Sequence, residues 1–141
     1  MTLLEVAHLL LVGGYAGFQW TVRLLVYPQF TAVPAAAFAD YEGSHSRRIT
    51  RVVGPLFAGQ LVTTGWLLGA RPPGVVPAAL VASAACLAVV LVVTALAAVP
   101  QHRVLGRGFH RAAYARLLRA DDIRVVAATV NVVVSGWAVL G

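Results

Sequence analysis

Two carboxylate–histidine pairs recur at one spacing, Glu5-Val-Ala-His8 and Glu42-Gly-Ser-His45. On a helix, residues i and i+3 share a face, and this spacing supplies ligands in di-metal carboxylate bundles. The first pair lies at one end of an apolar run of bilayer length, and the second lies beyond its other end. They are roughly 30 Å apart and cannot share an ion. The chain has no other glutamate, so a ferritin-like di-iron centre is not expected. A denser set gathers elsewhere. Tyr41, Glu42, His45 and Arg48 precede the second apolar run, and His102 follows Pro100 at the end of the third. Arg23 and Tyr27 end the first run, and Arg124 begins the fourth. A histidine oriented by a carboxylate or a tyrosine acts as a general base, and arginines hold a developing oxyanion. His45, His102, Arg23, Glu42, Arg48 and Tyr41 are therefore the candidate catalytic residues. Gln19, Tyr27, Gln60, Asn131 and Arg124 are the candidate substrate-binding residues. Two imidazoles and a carboxylate also make a single-metal set, so His45, His102 and Glu42 are the candidate ligands if an ion binds. The competing reading is that these groups only meet water and lipid phosphate at an interface. His110, close to Arg107 and Arg111, is read that way.

Composition dictates the elements that position these groups. The 141 residues are 60% hydrophobic and 11% charged, and the mean hydropathy is +0.82. Disorder is excluded, and an ordinary water-soluble enzyme is not expected. Four apolar runs, about 2–26, 52–70, 75–99 and 123–141, are each long enough to cross a bilayer. The expected fold is all-α, a single four-helix transmembrane domain with short amphipathic helices in the connections 34–48 and 108–119. Pro28 and Pro100 are expected to end the first and third spans. Asp121 and Asp122 are expected to suit the start of the fourth. The first run reads as a retained helix, since no basic segment precedes it and no small-residue cleavage site stands out after it.

All eleven basic residues are Arg, and they give a formal net charge of +6. They cluster in the connections 27–51 and 101–122, while the opposite side holds only Arg71. The positive-inside rule places both long connections in the cytoplasm and both termini outside. Anionic headgroups explain these arginines better than nucleic acid, which is not an expected partner. Within the spans, Glu5, His8, Tyr15, Gln19 and Arg23 form one stripe, and Arg124, Asn131 and Ser135 form another. Such residues are expected to face one another inside the bundle, and Arg23, close to Pro28, either does so as an anion or oxyanion contact or snorkels to the cytoplasmic headgroups. The lone Cys86 can form neither an intramolecular disulfide nor a Cys-based metal site.

Three segments also carry a family likeness: Tyr27-Pro28-Gln29-Phe30, Tyr41 through Ile49 with Pro55, and Pro100-Gln101-His102-Arg103-Val104-Leu105. Together they resemble the anthrone oxygenase-like family of small four-span membrane proteins. His102 stands where that family's Pro-x-Asn-x-x-Leu motif has Asn. Of a Trp and an Arg leading into the last helix, only Arg124 is kept. The resemblance implies oxidation of a phenolic polycyclic substrate by molecular oxygen, near the membrane, in natural-product biosynthesis; such a reaction need not require a cofactor, and a single metal ion is the other option.

The residues themselves support a membrane enzyme acting on a lipophilic small molecule. A transporter or channel subunit, with Glu5 and His8 at the outer mouth, is the first alternative. An accessory membrane protein whose polar residues merely pack is the second. A pore from four short helices would need homo-oligomerisation, for which the small-residue faces are the sequence basis.

Overall fold

The computed structural model describes residues 2–141. Four helical rods account for almost all of them: α1 (Leu3–Ala32), α2 (Ala35–Ala70), α3 (Pro77–Leu105) and α4 (Arg111–Leu140). All four are long and apolar enough to cross a membrane, which makes the chain a multi-pass membrane protein by length and composition. At 1.5 Å per residue they measure about 44 to 54 Å, longer than a hydrocarbon core of about 30 Å. Consecutive helices pack as neighbours, and α4 closes the ring against α1. Short connections make the bundle up-and-down.

The amphipathic segments expected in the long connections are helical, but they are not separate helices. Residues 35–51 are the first turns of α2 and residues 111–122 those of α4. His110 caps α4, its Nδ1 accepting from the Ala113 backbone amide at 3.2 Å. Asp121 is therefore well inside the helix and not at its start. At the other pole, Thr2 and Glu5 form a reciprocal capping box on α1.

Neither proline ends its helix. A proline ring clashes with the carbonyl four residues back and donates no hydrogen bond. Here each clash is absorbed by a π-turn, Val22–Val26 before Pro28 and Thr94–Ala98 before Pro100. Tyr27 N–H reaches back to Val22 O, and Val99 N–H to Thr94 O. The inward stripe of α1 consequently runs His8, Val12, Tyr15, Gln19, Val22, then steps five residues to Tyr27.

The exterior is apolar and the interior is layered. Leu24, Leu25, Val62, Trp66, Leu96 and Val133 all face outward. Inside, three apolar clusters alternate along the axis with two polar ones. Leu67, Ala79, Leu80 and Ala138 close one pole. Tyr15, Ala16, Val90, Ala127 and Ala128 fill the middle. Phe30, Phe38, Leu105, Ala113 and Leu117 close the arginine-rich pole. Backbones approach closely at small residues. A Cβ at Gly59 would lie 2.8 Å from Leu11 Cδ2.

Candidate active site

The site lies between the middle and arginine-rich apolar layers, and each helix contributes one residue to its centre. Glu42 comes from α2, His102 from α3, Tyr27 from α1 and Arg124 from α4. Glu42 Oε1 accepts from His102 Nδ1–H at 2.6 Å. An ionised carboxylate only accepts, so this contact puts the imidazole proton on Nδ1 and leaves Nε2 with its lone pair. The Tyr27 hydroxyl donates to that Nε2 at 3.2 Å. The same oxygen accepts from Arg124 Nη2 at 3.2 Å. The arrangement repeats the logic of a nucleophile–base–orienter triad, with a phenol in the first place.

The chain of contacts continues into the bundle. Arg124 Nη2 donates to Asp121 Oδ1 at 2.6 Å, and Gln19 Nε2 donates to the same oxygen. The Tyr15 hydroxyl then donates to Gln19 Oε1 at 3.0 Å. Arg124 Nη1 reaches Thr94 Oγ1 at 3.4 Å, and the Ser46 hydroxyl donates to Glu42 Oε1 at 2.9 Å. Asp121 is wholly buried (0% exposed) and Glu42 nearly so (1%). A lone carboxylate there would be heavily penalised, and the facing arginine and histidine offset that penalty.

These groups form the polar side of a cavity of about 420 Å³. Phe18, Val22, Ile49, Val53 and Ala98 form its apolar side, and Gln19, Tyr27, Glu42, Ser46, Thr94, His102 and Arg124 its polar one. A mostly apolar pocket with a few convergent polar groups is the usual form of a small-molecule site. A second cavity of about 580 Å³ shares Phe18 and Ile49 with the first and is also lined by Tyr41, His45 and Arg48.

The candidate residues thus separate. Glu42, His102, Tyr27, Gln19 and Arg124 converge on one cavity. His45 stacks on His102, ring centroids 5.8 Å apart and planes inclined by 25°, but Tyr41 and Arg48 face the neighbouring cavity. Arg23 is outside both. After the π-turn, Tyr27 takes the inward position, and Arg23 Nε pairs with Asp122 Oδ1 at 2.5 Å, with side-chain exposures of 28% and 55%. Gln60 is buried and bonds the Leu56 carbonyl of its own helix at 3.3 Å. Asn131 accepts from Ser83 at 2.7 Å in a different polar cluster. Gln60 and Asn131 line neither cavity.

Asp121, Ser46, Thr94 and Tyr15 belong to the network and were not among the sequence candidates. The Asp121–Arg124 and Glu42–Ser46 spacings, i+3 and i+4, were the local signals available. Another was the recurrence of x-Pro-Gln at Tyr27-Pro28-Gln29 and Val99-Pro100-Gln101, the two places where a π-turn delivers a network residue. No family model, curated protein or solved structure matches the chain, so its functional reading rests on this geometry.

Proposed function

We propose that the chain is a membrane-embedded enzyme that removes a proton from a lipophilic small molecule held in the 420 Å³ cavity. One observation carries this reading: Glu42, His102, Tyr27 and Arg124, one from each helix, form a continuous relay on the wall of an apolar cavity. The substrate O–H or acidic C–H gives its proton to the Tyr27 oxygen as the Tyr27 proton passes to His102 Nε2. The imidazolium is then held by Glu42, and the substrate anion remains near the Arg124 guanidinium. General-base and oxyanion stabilisation each contribute orders of magnitude in such a site.

The resemblance to the anthrone oxygenase-like family adds a phenolic substrate and molecular oxygen as the second reactant. Isomerisation or cyclisation would use the same anion. The arginine asymmetry supports placing the cavity at the cytoplasmic face. The apolar layer of Tyr15, Ala16, Val90, Ala127 and Ala128 separates the two polar clusters, which weighs against a water-filled path through the bundle. The reading is tested by incubating the detergent-solubilised protein with a panel of lipophilic phenols and ketones. Oxygen uptake and deuterium exchange at the acidic position are followed. Turnover by the natural sequence is expected, with a loss of about 10²-fold or more in His102→Ala and Tyr27→Phe. Equal rates in all three would overturn the reading.

A further inference from the structure

We infer that Glu42, His45 and His102 form a binding site for one divalent first-row transition-metal ion. This goes beyond the proton-transfer reading and does not rest on it. One ligand atom from each residue lies within 4.8 Å of the others. Two polar atoms in this group are buried without any partner, Glu42 Oε2 and His45 Nε2. Glu42 itself is 1% exposed. Leaving a carboxylate oxygen and an imidazole nitrogen unpaired in a low-dielectric interior is costly, and one cation between them satisfies both.

The donor set selects the class of ion. Two imidazoles and a carboxylate, with no thiolate, suit Zn²⁺, Fe²⁺ or Mn²⁺ better than Ca²⁺ or Cu⁺. The cavity beside Glu42 and His102 leaves room for further ligands on the ion. Tetrahedral ligands at about 2.1 Å stand about 3.4 Å from one another, so the 2.6 Å His102–Glu42 contact must open and the wider spacings of up to 4.8 Å must close. The His45 ring can supply that movement, because no hydrogen bond holds its Nε2.

An ion held by His102 Nδ1 would displace the proton now shared with Glu42 Oε1. The single imidazole proton then resides on Nε2 and is donated to the Tyr27 oxygen, which becomes the outer partner that orients a ligating histidine. His102 in this state has no lone pair free for a proton. The metal-bound and proton-relay states are therefore alternatives of one residue.

The test is titration of the full chain in detergent micelles with Zn²⁺ alone, read by equilibrium dialysis with elemental analysis, and with Co²⁺ alone, read by its visible absorption. Close to one equivalent per chain is expected. Affinity should fall at least tenfold in Glu42→Gln and in His45→Ala, and remain in His110→Ala. Sub-stoichiometric uptake by the natural sequence overturns the site, and that measurement needs no variant to fold. Equal uptake by folded Glu42→Gln and His45→Ala overturns it as well. The two readings fail separately. Turnover without metal uptake removes this inference and leaves the relay, whereas Zn²⁺ uptake with full turnover in Tyr27→Phe removes the relay and leaves the ion.

Discussion

His8 and His102 each take part in one of the two polar layers, and their surroundings differ. His8 is fully buried, with Nδ1 3.0 Å from Thr63 Oγ1 and Nε2 3.2 Å from Ser135 Oγ. The Thr63 hydroxyl donates to the Gly59 carbonyl, so a neutral imidazole carrying its proton on Nδ1 satisfies the arrangement. Ser83 and Asn131 complete the cluster with contacts of 2.7 to 3.2 Å. Those partners are uncharged, and none of the five residues lines either cavity. Around His102 the network includes the charged Glu42, Asp121 and Arg124, a cavity opens on it, and Glu42 Oε2, Asp121 Oδ2 and Arg124 Nε lack partners. Buried polarity in a membrane bundle therefore has two meanings. A saturated, uncharged cluster ties helices together. An unsaturated, charged cluster beside a void is equipped to act on a ligand.

The largest expected effect separates the two histidines directly. His102→Ala should lower turnover by about 10²- to 10⁴-fold, while His8→Ala leaves it within a few-fold, measured by the oxygen-uptake and exchange assays. Comparable losses in both would erase the distinction. Next in size is the buried ion pair. Asp121→Ala leaves Arg124 facing an apolar interior without its carboxylate, and a loss of about 3 to 5 kcal/mol is expected in reversible unfolding from micelles. The paired change Asp121→Ala with Arg124→Met should restore most of that stability but not turnover. His8→Ala is expected to destabilise by about 1 to 3 kcal/mol through the two interhelical hydrogen bonds it removes and the void it leaves. A neutral effect would mean that the polar layer around His8 does not hold the helices together. The smallest change is Arg23→Gln, which breaks a largely solvated pair and should shift stability by no more than about 1 kcal/mol, with the difference shrinking in high salt.

The sequence revealed the helix faces unevenly. Glu5, His8, Tyr15 and Gln19 could be placed on one stripe because they sit in an uninterrupted α-helix of fixed period. Arg23 was carried onto that stripe by the same period and does not belong there. The π-turn at Val22–Val26 inserts a residue and turns Tyr27 inward in its place. Asp121 was hidden by an assumed helix start, since nothing local showed that α4 begins ten residues earlier, at Arg111. Asn131 and Gln60 were correctly expected to be buried. Their partners decided that Asn131 ties the polar layer around His8 and that Gln60 bonds its own backbone.

Composition and periodicity alone determined that four apolar rods cross the lipid and that polar side chains turn inward. These properties depend on residues within a few turns of one another and on the cost of hydrating a backbone or charge in hydrocarbon. Only the tertiary structure decided that Glu42 meets His102 across 60 residues of chain. It also decided that Tyr27 reaches both His102 and Arg124. Those meetings depend on the axial register of packed helices and on two proline-induced π-turns. Register is set jointly by all the contacts of the bundle, and no short stretch of sequence contains it.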